Sequence, residues 1–350
     1  MPIQKPLRIA VIGAGSFGRN HLRVYRGLEA TGSVVLVAVV DSDPATASAI
    51  AAEYGIAAFT SVDDMLAANL DITAASLCVP TVHHSSVGCR LFAAGIDLLV
   101  EKPIAASLAD ADALLEAAAT HGRILQVGHL ERFNPAVTAA LPLLQQPMFF
   151  EAHRLSIFTA RSLDVDVVLD LMIHDLDVVL SFVDSPVTDV RAVGLPVLSD
   201  KTDIANVRLE FANGCVANFT ASRVSTEKVR KLRFFQPRQY FSIDFAHQEL
   251  LFIDVSAAAS LTPAQLAVIA AAESGTHPSA GLSLRKLPIE AKEPLVLEIE
   301  SFLDSVRTRT TPRVTGKDAC TALALALEIN IKIAEHASRA GLDRFTRHTK

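Results

Sequence analysis

LRIAVIGAGSFG, residues 7–18, decides how the first third of this chain folds. Its opening apolar run reads as a buried strand. The run leads directly into Gly13, Gly15 and Gly18, a G-x-G-x-x-G spacing, and SFGRNHLRVYRGLEA then takes up a helical period. The spacing carries weight only in that strand-to-helix context. Gly13 permits a tight turn, Gly15 lets a pyrophosphate approach the backbone, and Gly18 permits close packing of the helix. The helix N-terminus offers free N–H groups and a positive dipole end to phosphates. With Ala14, Ser16 and Phe17 these glycines form the candidate cofactor loop. SVVLVAVVD is the next strand, and Asp41 ends it 23 residues after Gly18. An acidic side chain at that point accepts hydrogen bonds from an adenosine ribose and repels a 2′-phosphate. Ser42 follows instead of an arginine, which favours NAD over NADP. The structural alternative for Asp41 is an Asx turn ahead of Pro44.

The same alternation continues outward. DPATASAIAAEYG is a helix begun by Asp43 and Pro44 and ended by Gly55. DITAASLCV and IDLLVEKP are strands, separated by the helix HHSSVGCRLFAAG, and SLADADALLEAAATHG leads to a last strand, RILQVGH. Apolar strands alternating with helices predict an α/β domain with a parallel sheet over residues 1–126. Residues 127–350 predict a second, α+β domain. Its strands ANVRLEF and CVANFTAS flank the hairpin signal Ala212-Asn213-Gly214, and KLRFFQ, QYFSIDF and ELLFIDV continue a large open mixed or antiparallel sheet. Residues 257–292 fit no period and read as a peripheral insertion with one short helix. Two helices close the chain, with the option of packing back on the first domain.

Composition bounds the function. The chain has 350 residues, 50% hydrophobic and 20% charged, which fits a soluble, core-rich protein of two domains. A net charge of -6 gives no reason to expect nucleic acid or an anionic membrane as partner. Cys78, Cys89, Cys215 and Cys320 form no CxxC pair, so neither a disulfide framework nor a metal site is expected. No secretory or membrane-spanning signal is evident, and the expectation is a cytoplasmic protein.

Three further features carry possible chemistry. Pro80-Thr81 turns at the carboxyl edge of the sheet, where ligands bind in such folds. Glu101-Lys102-Pro103 puts a lysine at the tip of a buried strand; it can relay a proton, or be an ordinary loop lysine. Asp170 and His174 lie four apart in the apolar helix VDVVLDLMIHDLDVVLSFV and so share a face. Alone, that histidine is better explained as a satisfied core residue. Asp175 and Asp177 leave the stripe and are read as structural.

Together GAGSFG, CVPTVHH, EKP and DLMIHDLD resemble the Gfo/Idh/MocA family of NAD(P)-dependent sugar and polyol oxidoreductases. The resemblance implies an N-terminal Rossmann domain, and a C-terminal domain whose open sheet forms a homodimer or homotetramer. It implies Lys102, Asp170 and His174 as the catalytic set, with Pro80, Thr81, His84 and Glu101 on the nicotinamide side and no metal. Within the family, VGHLERFNPAV, HRLSIFTARSLDVDVVLDLMIHDLD and KVRKLRFFQPRQYFSIDF are similar to bacterial UDP-N-acetylglucosamine 3-dehydrogenases, which make a 3-keto sugar on the way to lipid A amino sugars. Arg132, Asn134, Arg154 and Arg161 have chemistry suited to sugar hydroxyls and a diphosphate. Other sugars or an inositol, an NAD-dependent glycosidase and a nucleotide-sensing regulator remain alternatives.

Overall fold

A computed structural model describes residues 5–158, 165–255 and 283–342, together with Thr262 and Ala264. The chain forms two compact units, residues 1–133 with 293–324, and residues 134–292 with 325–350.

The first unit is a six-stranded sheet in the order β3-β2-β1-β4-β5-β6. Its strands are β1 (Leu7–Ile12), β2 (Val34–Val40), β3 (Ala57–Phe59), β4 (Ala74–Leu77), β5 (Asp97–Glu101) and β6 (Leu125–Gly128). Every pairing is parallel. Helices α1 (Ser16–Leu28), α2 (Pro44–Tyr54), α3 (Val62–Ala67), α4 (His84–Ala93) and α5 (Leu108–Thr120) connect them. The order reverses at β1, so the carboxyl ends of β1 and β4 open the crevice where such sheets take ligands. Capping is local and legible: Asp43 accepts from the N–H groups of Ala45 and Thr46, and Gly55 ends α2 in the left-handed region at φ 62.

The second unit begins with α6 (Pro135–Ala140) and β7 (Phe149–Ile157). After α7 (Ile173–Phe182) come β8 (Val187–Leu195), β9 (Ile204–Phe211), β10 (Val216–Ser225), β11 (Val229–Gln236), β12 (Gln239–Asp244), β13 (Glu249–Asp254) and β14 (Ser283–Lys286). They form an eight-stranded mixed sheet, β14-β13-β12-β11-β7-β10-β9-β8, parallel only where β7 meets β10. Burial alternates along β8 to β12, so one face is covered and the other open. Phe150, Phe182, Phe234 and Phe241 pack on the covered face, with the last two rings stacked at 4.4 Å. The hairpin turn falls at Asn213 and Gly214 (φ 84), and the Asn213 side chain accepts from the Cys215 N–H.

Two departures from the sequence reading concern local geometry. Ser283–Lys286, within the stretch read as an aperiodic insertion, is a strand because β13 offers it an edge to pair with. Most of the rest of that stretch, with its expected helix, lies outside the described residues. The helix carrying Asp170 is also not uniform: Val168–Met172 is a π turn, followed by the α-helical Ile173–Phe182. α8 (Pro294–Thr308) places Ile299, Phe302 and Leu303 in one core with Ile9, Val11, Leu22 and Tyr25 of the first unit. α9 (Gly316–Arg339) is the last described helix, and no helix among the described residues is long and apolar enough to cross a membrane.

Candidate active site

The glycine loop gives its three glycines three distinct surroundings. Gly13 has φ +92, and a Cβ there would sit 2.7 Å from the Cys78 carbonyl, so the turn presses against the end of β4. A Cβ on Gly18 would run into the Gly13 carbonyl oxygen, so this glycine closes the loop on itself more than it packs helix to strand. A Cβ on Gly15 would meet nothing within 4 Å. Gly15 is also the N-cap of α1 and makes no side-chain cap bond, so the first N–H groups of α1 lack the usual side-chain acceptor. Open space at Gly15, beside unsatisfied donors and a positive dipole end, fits a pyrophosphate. Ser16 and Phe17 are exposed on this loop and Ala14 is buried beneath it.

Asp41 makes the Asx turn read for it and also reaches the glycine loop. One carboxylate oxygen accepts from the Ala14 N–H at 2.7 Å, and the other from the Asp43 N–H at 3.0 Å as an Asx turn. The acid therefore ties the cofactor loop to the end of β2.

The tip of β5 is held by side chains from three elements. His21 of α1 places Nε2 2.8 Å from Glu101 Oε1 and Nδ1 2.9 Å from Ser76 Oγ of β4. Tyr25, one turn further along α1, lies 2.8 Å from the same Ser76 oxygen. Glu101 Oε2 accepts from the Lys102 N–H at 3.3 Å. Burial acts to raise the Glu101 carboxyl, but the His21 hydrogen bond and the charges of His21 and Lys102 hold it below the ordinary carboxylate value. Lys102 itself is half-buried, and a cis peptide joins it to Pro103. His21, Cys78 and Glu101 bring ligand-type atoms within 4.8 Å of one another, a grouping that sequence spacing could not reveal because each residue comes from a different segment. In this group His21 and Glu101 are hydrogen-bonded to each other.

The Pro80-Thr81 turn starts a single 3-10 turn, Thr81–His83, with Pro80 exposed and Thr81 half-buried. His84 follows and is buried. Its Nδ1 lies 3.0 Å from the Pro103 carbonyl and 3.2 Å from that of Ile104, and its Nε2 lies 3.0 Å from that of Val79. Both ring nitrogens thus face main-chain carbonyls, and the neutral ring donates to them from one nitrogen. His84, expected on the nicotinamide side, also braces the turn that follows Lys102. Burial pushes its imidazole below the ordinary value, against the pull of the three carbonyls and the Glu101 charge.

In the second unit, Asp170 lies in the π turn and His174 in the first turn of α7, both half-buried. Asp166 caps this helix: one carboxylate oxygen accepts from the Val168 and Leu169 N–H groups, and the other from Asn330 of α9. Asp175, read as structural, forms a buried two-point pair with Arg154 of β7, Nε to Oδ2 at 2.9 Å and Nη2 to Oδ1 at 2.8 Å. The Arg154 guanidinium also lies 5.3 Å from the centre of the Phe245 ring. Its fork is therefore engaged with protein, which argues against the sugar-diphosphate contact expected for it. Asn134 is likewise turned inward: it caps α6 through Ala136 N–H and donates to the Phe245 carbonyl at 2.9 Å. Arg132 in the first unit is half-buried, with Nη2 3.4 Å from the Arg313 carbonyl. Arg161 lies outside the described residues.

Sequence reasoning missed His21, Ser76 and Tyr25. One signal existed: Gly18, His21, Leu22 and Tyr25 are the buried stripe of α1, and a histidine on that stripe needs polar partners.

Comparison with known proteins agrees with this architecture. Residues 7–129 match the oxidoreductase family with an NAD-binding Rossmann fold, and residues 145–239 match the GFO/IDH/MocA C-terminal domain. The chain is 34% identical over 339 residues to UDP-N-acetylglucosamine 3-dehydrogenase of Acidithiobacillus ferrooxidans, spanning 95% of this chain and 99% of that one. It is 28% identical to inositol 2-dehydrogenase of Rhizobium meliloti, over 91% of this chain and 94% of that one. A solved structure of the Acidithiobacillus enzyme superposes with a TM-score of 0.82 at 32% identity, covering 94% of this chain and 98% of that one. The strand order, the glycine loop and the full-length similarity lead to one conclusion: this chain is an enzyme of the Gfo/Idh/MocA oxidoreductase family.

Proposed function

We propose that the protein oxidises the C3 hydroxyl of UDP-N-acetylglucosamine to the 3-keto sugar with NAD, a step toward a 3-amino sugar for lipid A. The observation that carries this reading is the 34% identity to a UDP-N-acetylglucosamine 3-dehydrogenase, which runs almost end to end in both chains. The looser similarity to inositol 2-dehydrogenase, at 28%, makes an inositol the second reading.

The dinucleotide would be held by Gly13, Ala14, Gly15, Ser16, Phe17 and Gly18, with Asp41 taking the adenosine ribose. Pro80, Thr81, Glu101 and Lys102 complete its surroundings. An acid at Asp41 favours NAD over NADP. NAD, when bound, supplies the two-electron acceptor for the hydrogen leaving the carbinol carbon. The chain's own groups handle the proton. His174 takes the hydroxyl proton, since imidazole titrates near neutral pH. Lys102 donates a hydrogen bond to the same oxygen and steadies it as it becomes a carbonyl. Asp170 orients the site and balances its charge. Arg132 and Arg161 are the candidates for the substrate's polar groups, while Arg154 and Asn134 support the fold around Asp175 and Phe245. The first domain binds dinucleotide and the second binds sugar. The enzyme works in the cytoplasm, as a homodimer or homotetramer joined through the open sheet face.

The test is a substrate panel. The protein is incubated with NAD and UDP-N-acetylglucosamine, N-acetylglucosamine, or myo-inositol, and NADH absorbance is followed. NADH with the nucleotide sugar alone supports the proposal; turnover of inositol alone replaces it with the second reading.

A further inference from the structure

We propose that His21 is a positioning residue for the reaction: its Nε2–H fixes the Glu101 carboxylate, and that carboxylate fixes Lys102. The inference rests on the reading of Lys102 as the residue that bonds the reacting oxygen.

The geometry begins with an acid in an apolar sheet. Glu101 ends β5, whose preceding residues Leu98, Leu99 and Val100 are fully buried. An ionised carboxylate placed there must be met by donors. A carboxylate has no proton to give, so His21 Nε2 is the donor in the 2.8 Å contact with Oε1. Nδ1 lies 2.9 Å from the Ser76 hydroxyl, which accepts from a protonated ring or donates to a neutral one, and Ser76 lies 2.8 Å from the Tyr25 hydroxyl. Burial pushes the Tyr25 phenol far up, so it keeps its proton. Two buried hydroxyls thus back the His21 ring and hold its Nε2 toward Glu101. His21 is 0% exposed, so water cannot replace any of these bonds.

The other carboxylate oxygen faces Lys102, accepting its N–H at 3.3 Å. The β6 side is cleared for it. A Cβ on Gly128 would come within 3.1 Å of Glu101 Oε2, so glycine at that register position leaves the carboxylate room. Rotation of the Glu101 side chain would break the Lys102 N–H bond and move its negative charge away from the lysine. His21 prevents that rotation. It also stands three residues after Gly18, on the helix whose N-terminus forms the cofactor loop. One helix therefore supports both the dinucleotide loop and the strand tip that carries Lys102.

The test separates the two nitrogens. A glutamine amide reaches about as far as Nε2 and keeps the donor to Glu101; an asparagine amide reaches only about as far as Nδ1 and keeps the Ser76 side. His21→Gln and His21→Asn are compared with the full-length parent for kcat, KM for NAD and thermal stability, using NAD and UDP-N-acetylglucosamine. Misplacing a catalytic group by about 1 Å costs on the order of 100-fold. His21→Asn is accordingly expected to lose about that much kcat, and His21→Gln to stay within about 10-fold of the parent. KM for NAD should move less than about 3-fold in both, the pattern of a group that acts only in the transition state. Equal kcat losses in the two variants, tracking stability, would reduce His21 to a packing residue and overturn the inference. If His21→Asn does not fold, Glu101→Gln keeps the shape and removes the anion. A drop in its kcat at constant KM for NAD supports the inference, and parent-like kcat refutes it. Lys102→Met keeps the two failures apart. Parent-like turnover in Lys102→Met overturns the reading of Lys102 itself. Loss of turnover there, with parent-like His21→Asn, overturns only the role of His21. Arg23→Ala, on the exposed side of the same helix, is the control expected to leave kcat unchanged.

Discussion

The Lys102 turn and the Asp170–His174 helix are built by different means. Around Lys102, rigidity comes from a chain of neutral and charged hydrogen bonds, Tyr25 to Ser76 to His21 to Glu101, anchored in a parallel sheet. Around His174 it comes from a π turn, a capping aspartate and one buried ion pair. A hydrogen-bond chain is sensitive to the length and tautomer of each link. A buried ion pair is sensitive to the loss of either charge, because the survivor is stranded in low dielectric. The first region should therefore fail in rate when altered, and the second in stability.

The largest expected effects sharpen what the two regions share. Lys102→Met and His174→Ala should each lower kcat by about 100- to 10,000-fold, the range for a positioned acid or base, in steady-state assays with NAD and the nucleotide sugar. Next comes the contrast itself. Arg154→Ala leaves Asp175 charged and buried, and should cost about 3–5 kcal/mol in denaturant unfolding. Arg154→Met combined with Asp175→Leu should recover much of that loss, since both charges are gone and apolar volume is kept. If the single Arg154 change left unfolding unaltered, the second region would not be held as described.

How much of each region was legible follows from the same contrast. Strand, glycine loop and helix could be read because their geometry is written in short spacings, as were the Asx turn at Asp41, the Asp43 and Gly55 caps and the Asn213-Gly214 hairpin. His21, Ser76 and Glu101 lie 55 and 80 positions apart in their two bonds, so only the folded sheet brings them together. Arg154 looked like a free cation for a diphosphate because sequence does not show that its strand packs against Asp175. The π turn was hidden for another reason. Periodicity averages over several turns, and a single wide turn does not disturb the apolar pattern of Val167, Val168, Met172 and Ile173.

A smaller effect concerns the cofactor loop. Asp41→Asn keeps an acceptor for the Ala14 N–H but loses the charge on which the proposed NAD preference rests. It should lower the NAD over NADP preference by about 10-fold, roughly 1.4 kcal/mol, in paired KM measurements. The smallest effect is in pH. His84 is held below its ordinary value, chiefly by burial, so the fold favours the neutral ring. The unfolded chain takes up a proton below about pH 6.5, and the fold resists doing so. The stability tied to neutral His84 is therefore present above that pH and declines as pH falls toward the folded value. Urea midpoints taken between about pH 7 and 5 should fall more gently in His84→Asn than in the parent. Parallel slopes would show that the His84 ring does not titrate as described.

In the proposed reaction the C3 carbon of a nucleotide sugar gives up its hydrogen to NAD. UDP-N-acetylglucosamine carrying deuterium at C3 tests this directly, with mass spectrometry of both products. The account predicts that the label moves to the reduced nicotinamide and leaves a 3-keto sugar. Reduced cofactor without label, or label retained in the sugar after full turnover, would contradict it.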